Sequence, residues 1–206
     1  FGQFHGEEVI ARADEIEWLG IFTSDTGDYI KKFTPKIKYV FDPLFDYGSD
    51  EKSGKVVYGE GYEQPVIMLR GVEGMTEGKV ETAGISGLAF FPGRFHSFVF
   101  NNSHFQVFAI GNAVASLDRG FPRIDNYVLA MVEETHEQTF ITILGMNARL
   151  LSNAAYEVIW CGDLNNDNLP DIIIRDFWHY NIVESVKLFL SGGKQRPVEP
   201  AATFMA

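Results

Sequence analysis

Three aspartates and three asparagines fall within the nine residues Asp163 to Asp171, in the stretch CGDLNNDNLPDIIIR at positions 161–175. Strand-like apolar runs, YEVIW and DIIIR, flank it on both sides. Counting from Asp163, the odd positions are Asp163, Asn165, Asp167, Leu169 and Asp171. Alternate residues of a tight loop turn their side chains toward one centre. Four of these positions then offer carboxylate or amide oxygens, and Leu169 offers its backbone carbonyl. Such a set of hard oxygen donors suits calcium, which takes six to eight oxygens at about 2.3–2.6 Å. Without a cation the three carboxylates repel one another. Two unit charges about 4 Å apart cost roughly 1 kcal/mol in water and about 4 kcal/mol at the effective dielectric of a protein surface. A second reading uses the same residues with no ion, as a turn closed by Asx hydrogen bonds.

The first half of this loop is similar to an EF-hand, but the position for its bidentate glutamate is Ile174, and strands stand where an EF-hand has helices. The sixth position, usually glycine, is Asn168. Asparagine is one of the few other residues that tolerate the left-handed conformation.

The pattern D-x-N-x-D-x-x-x-D between two strands, preceded by Gly162 and followed by an aliphatic triplet, resembles the calcium loop of FG-GAP repeats. These are found in integrin α-subunit propellers and in the related VCBS-type repeats of bacterial secreted proteins. The resemblance implies side-chain ligation by Asp163, Asn165, Asp167 and Asp171 and carbonyl ligation by Leu169, with Ca2+ as cofactor. It covers residues 156–190. The stretch from HYN to LFLSGG also resembles the C-terminal part of exported bacterial proteins that carry a single such loop. FG-GAP repeats come in series, whereas this chain has one copy, so the loop carries over and the propeller does not.

Just beyond the loop, RDFWHYN places Asp176 and His179 three residues apart. As a functional pair they would serve as acid and base beside a ligand cleft. The structural alternative makes His179 a partly buried polar tip in a bulge. No serine sits in G-x-S-x-G, and HEQTF lacks the second histidine of a zinc HExxH. No catalytic residue is assigned. Cys161, the only cysteine, adjoins an apolar run and reads as a small buried residue.

The elements that position these residues are strands. KIKYVF alternates, with Ile37, Tyr39 and Phe41 on one face, and KVVYGEG, PVIMLR, GLAFF, SFVF and HFQVFAI follow as short segments bounded by Gly, Pro or Asn. FFPGRFHSFVF reads as strands around a turn at Pro92-Gly93, with an aromatic glycan-stacking surface as the alternative. YVLAMVEETHEQTFITIL reads as a hairpin around Glu133–Gln138. Residues 7–19 are the best helical candidate, but 15–23 favour a strand. The polar loop 48–55 reads as a hairpin connection. The expectation is an all-β fold, a single-domain sandwich or irregular barrel over 1–191 with a calcium-clipped C-terminal hairpin and little helix. Residues 192–206 would form a tail, partly disordered or laying one last segment on the body.

The net charge of −11 disfavours nucleic acid and anionic membranes, because both need a basic face. No apolar run is long enough for a transmembrane helix. One cysteine excludes an intrachain disulfide. The start at Phe1 leaves a removed signal peptide and a trimmed chain equally open. With a calcium loop and no catalytic constellation, the expected protein is periplasmic or secreted and non-catalytic, with a binding or structural role toward a protein or glycan partner. The alternative is a hydrolase in which calcium orders Asp176 and His179.

Overall fold

The computed structural model describes residues 4, 9–48, 50–72, 74–114, 123–135, 137–151, 155–179, 182–192 and 202–204, with backbone alone at 62, 151, 177–179, 182–184 and 202–204. It is an all-β protein whose sheets are open, not closed into a barrel. The chain gathers into two compact units, Phe1–Glu81 and Thr82–Ala206.

In the first unit, β1 (Trp18–Ser24), β2 (Gly27–Phe33), β5 (Ile67–Leu69) and β6 (Gly78–Val80) form an antiparallel sheet in the order β5-β1-β2-β6. Ile21, Phe22, Ile30 and Leu69 are buried, and Phe22 stacks on Tyr29 and meets Phe33 edge-on. The helical candidate 7–19 shortens to one 3-10 turn at Ala13–Glu15, and β1 takes over from Trp18. The Trp18 indole donates to the Ala13 carbonyl at 3.0 Å, which seats the turn against the strand.

A two-stranded ribbon pairs β3 (Lys36–Val40) with β4 (Gly54–Tyr58), and the polar stretch 48–55 runs from their connection into the first two residues of β4. The apolar side read from KIKYVF is only partly covered. Ile37 is half-buried, whereas Tyr39 and Phe41 are 57% and 48% exposed. A two-stranded ribbon has no further sheet of its own to cover both faces.

The second unit is a sandwich of two antiparallel sheets. One contains β8 (Phe95–Phe100), β9 (Ser103–Val114), β10 (Arg123–Glu134) and β11 (Thr139–Leu151), in the order β11-β10-β9-β8. The other orders β15-β14-β13-β12-β7, from β7 (Leu88–Phe90), β12 (Tyr156–Gly162), β13 (Asp171–His179), β14 (Ile182–Phe189) and β15 (Ala202–Phe204). Thus part of the expected tail lays a strand on β14. Side chains alternate across a strand, so each sheet sends one set inward. Phe105, Val107, Leu129 and Leu144 from the first sheet meet Phe90, Val158, Ile172 and Ile174 from the second in one apolar cluster.

Local turn chemistry agrees with this topology. Phe100 pairs with Ser103 across Asn101-Asn102, both at positive φ as a two-residue type I′ hairpin requires. Pro92-Gly93 forms the expected turn, with Gly93 at φ +86°. The β10–β11 hairpin closes through Thr135, whose N–H and hydroxyl both donate to the Gln138 carbonyl. In FFPGRFHSFVF, Phe90 and Phe100 enter the core while Phe95 stays 65% exposed.

Gly145 on β11 is required for packing. A Cβ there would lie 2.5–2.9 Å from the ring of Tyr156. That ring is buried and stacked on Tyr127 at 5.4 Å, so it has little room to retreat. Gly145→Ala is expected to destabilise the protein by about 1–3 kcal/mol, as overpacking does. Urea unfolding checks this, and an unchanged midpoint would refute it.

Candidate functional site

The acidic loop joins β12 to β13, two neighbouring strands that pair from Gly162↔Asp171 down to Glu157↔Arg175. Both ends are anchored in apolar surroundings. Trp160, Cys161 and Leu164 are buried before or within the loop, and Ile172, Ile173 and Ile174 are fully buried after it. The loop reverses the chain with Asn166 at φ 59° and Asn168 at φ 67°. The left-handed tolerance expected of Asn168 is therefore used, and Asn166 uses it as well.

Side-chain oxygens organise the turn. The Asp167 N–H is shared between Asp163 Oδ1 at 3.0 Å and Asn165 Oδ1 at 3.2 Å, which brings the first and third loop positions to one donor. The Asn168 N–H donates to Asp163 Oδ2 at 2.8 Å, and the Leu169 N–H to Asp167 Oδ1 at 2.9 Å. Asp171 Oδ2 accepts from the Leu164 N–H at 2.6 Å, closing the loop onto itself. These are the Asx bonds of the ion-free reading. They leave acceptor capacity, because a carboxylate offers about four lone-pair sites.

The remaining loop positions converge on a residue that the sequence reasoning missed. Ser191 Oγ lies 2.7 Å from Asp171 Oδ1, 3.1 Å from Asp167 Oδ1 and 3.5 Å from the Leu169 carbonyl. Its own N–H donates to Asp171 Oδ1 at 2.7 Å, and its carbonyl accepts from Asn165 Nδ2 at 2.6 Å. One hydroxyl proton serves one acceptor at a time, so three oxygen groups crowd a single donor. Ser191 lies twenty residues beyond Asp171, and no local spacing signals it. Asn101, from the β8–β9 turn, also reaches the loop and donates to the Asn168 carbonyl at 3.0 Å.

The electrostatics follow from burial. Asp171 has no exposed surface, and its carboxyl is pushed up to about 7. Loss of solvation is the main cause, the charge of Asp167 adds to it, and the bonds from Ser191 and Leu164 offset part of it. Burial, and then the charge of Asp171, push the Cys161 thiol well above its usual range. That leaves a neutral core thiol, as its place beside an apolar run suggests.

The donor set is all oxygen and fits a hard cation in kind. Among the described residues, no three His, Cys, Asp or Glu side chains gather into a metal-holding group by themselves. The set therefore depends on Asn165, the Leu169 carbonyl and the Ser191 hydroxyl as much as on carboxylates.

Asp176 lies on β13, buried, with Oδ2 3.2 Å from Lys187 Nζ on β14. That ammonium also sits 5.4 Å from the centroid of the Tyr156 ring. His179 ends β13, and its side chain lies outside the described residues. One strand thus carries Asp171, Asp176 and His179, but no described contact joins Asp176 to the loop or to His179.

Among the described residues, no helix is long and apolar enough to cross a membrane. Comparison with family models, curated proteins and solved structures gives no significant match.

Proposed function

We propose that this is a calcium-stabilised exported β protein with a non-catalytic role, binding a protein or glycan partner or serving a structural function. The observation that carries the reading is the crowding of Asp167, Asp171 and the Leu169 carbonyl around the single hydroxyl of Ser191. Asp163, Asn165, Asp167, Leu169 and Asp171 would hold the ion, and calcium would supply the positive charge that one hydroxyl proton lacks. The role is structural: the ion pins the β12–β13 turn, whose flanks are already buried on both sides. An extracytoplasmic location fits this role, since millimolar calcium fills even sites with Kd of about 10⁻⁴–10⁻³ M. The hydrolase alternative has less support, because the Asp176 carboxylate is engaged by Lys187 inside the fold.

Thermal unfolding in EDTA, in calcium and in magnesium tests the proposal. At a hundredfold excess over Kd, bound calcium adds about 2.7 kcal/mol. For a chain of this size that raises Tm by roughly 5–10 °C. Magnesium, which demands near-octahedral geometry and keeps its waters, should do much less. Asp167→Ala should abolish the calcium increment. No calcium-dependent rise in the unmutated protein would refute calcium as a ligand of this loop.

A further inference from the structure

We propose that the loop joining β3 to β4 is a membrane-docking tip, whose apolar side chains enter the interface of a zwitterionic phospholipid bilayer. The stretch YVFDPLFDYG, residues 39–48, reverses the usual order of a surface loop. Its two carboxylates are turned inward: Asp42 has no exposed surface and Asp46 is 2% exposed. Its large apolar side chains are turned outward. Leu44, Phe45 and Tyr47 are 69%, 67% and 90% exposed, and Tyr39 and Phe41 are about half exposed. From Tyr39 to Gly48 no charged side chain is exposed. Buried acids beside exposed large apolar groups are the combination that ordinary surfaces avoid.

The two aspartates hold the turn in this arrangement. Asp42 Oδ1 accepts from the Leu44 N–H at 2.8 Å, with Pro43 between them, which is the residue order that starts a helical turn. The Asp46 N–H donates back to the Asp42 carbonyl at 2.8 Å. Asp46 Oδ2 accepts from the Asp42 N–H at 2.7 Å and from the Ser53 N–H at 2.8 Å, tying the turn to the returning limb. The tip is thus ordered before any partner arrives, which lowers the cost of binding. Cover on the ribbon is lost toward the tip. Ile37 pairs with Val57, which is buried against Val9 and Ala13. Two residues on, and so on the same face, Tyr39 pairs with Lys55, and Phe4 bridges Lys55 from its other side. Tyr39 and Phe4 are both exposed.

Side-chain type, charge and area select the occupant. Phe41, Leu44 and Phe45 are pure hydrocarbon, and Tyr39 and Tyr47 flank them in sequence. Tyrosine, with an apolar ring and a polar tip, sits at the headgroup level of a bilayer. The exposed charges that border the stretch are of both signs: Lys36 and Lys38 on β3, and Asp50, Glu51 and Lys52 on the returning limb. A zwitterionic headgroup offers phosphate to the ammoniums and a cation to the carboxylates. An anionic surface would repel Asp50, Glu51 and the chain's net −11. Four aromatic rings and one leucine at these exposures present on the order of 600 Å². A standard protein interface buries about 800 Å² per partner, with matched shape. Lipid moulds itself to the side chains that enter it, so the tip suffices for a bilayer where it falls short of a protein partner.

Flotation of the full chain with phosphatidylcholine vesicles tests the proposal, with circular dichroism as the check on folding. The unmutated chain should bind with a constant on the order of 10⁴ M⁻¹, that of a single acyl anchor. Raising the salt concentration should leave binding unchanged, because salt screens charges and not apolar burial. Leu44→Ser and Phe45→Ser should each lower the constant about tenfold or more. If either variant misfolds, Tyr47→Ser, at the most exposed position, reads the same tip. Met146→Ser removes a side chain of similar exposure on β11 and should change nothing. An unmutated chain that does not float would overturn the proposal, as would tip variants that float equally well, a Met146→Ser variant that loses as much, or binding that vanishes in high salt. Dimerisation through this loop in sedimentation velocity, without flotation, would also overturn it and assign the tip to a protein contact.

Discussion

Ile172→Ala is expected to destabilise the second unit by about 2–5 kcal/mol, the largest single-residue effect anticipated here. Ile172 has no exposed surface and sits one residue past the acidic loop. It pairs with Cys161 on β12 and with Phe189 on β14, and it belongs to the apolar cluster between the two sheets. Truncation removes buried methyl and methylene groups and leaves a cavity that the two paired strands prevent from closing. Ile172→Val, which removes a single methylene, should cost only about 0.5–1.5 kcal/mol. Urea unfolding followed by far-UV circular dichroism and by tryptophan fluorescence measures both. Trp160, buried one residue from Cys161 and paired with Ile173, is a reporter beside the site. An alanine variant no worse than the valine variant would show that this strand is not a packing centre.

The second large effect concerns pH in the absence of metal. The Asp171 carboxyl, ordinarily near 3.8, is raised to about 7 in the folded protein, mainly by burial. Between those values the folded state holds a proton that the unfolded chain has released. Where the folded state binds more protons, stability falls as pH rises. The contribution is therefore fully present below pH 4, declines through pH 4–7 and is gone above about 7. At about 1.4 kcal/mol per pH unit the loss is roughly 4 kcal/mol. In EDTA, the stability of the unmutated protein should fall across this window relative to Asp171→Asn, whose amide does not titrate. The comparison of slopes isolates Asp171 from the other carboxylates. If calcium is the ligand of this loop, as proposed, it selects the ionised carboxylate and should flatten the fall. A slope in EDTA equal to that of the variant would refute the assignment.

How much of this was legible in the residues depends on distance along the chain. The strands were readable because a period of two and turn residues such as Asn101-Asn102 and Pro92-Gly93 act over a few neighbours. The candidate ligands were readable for the same reason: Asp163, Asn165, Asp167, Leu169 and Asp171 are brought together by one turn. The left-handed backbone at Asn168 follows from what an asparagine tolerates, wherever its strands lie.

Three features needed the tertiary structure. Ser191 joins the loop only because β14 returns alongside β13, with Phe189 opposite Ile172. No spacing rule reaches across such a pairing. Alternation in KIKYVF and in β8 to β11 indicates that a strand has two faces, but not which face is covered. Tyr39 and Phe41 are about half exposed, and Phe95, Ile110, Ile141 and Met146 are more than half exposed, although each strand carries the pattern of a core strand. Nor does local patterning give the partner of each strand, such as β7 beside β12 or β5 beside β1. The sequence by itself determined the strands, the turn and its oxygen donors, since each depends on neighbours in the chain. Burial, the approach of Ser191 after β14 and the exposed sheet face were decided by which distant surfaces meet when the chain closes on itself.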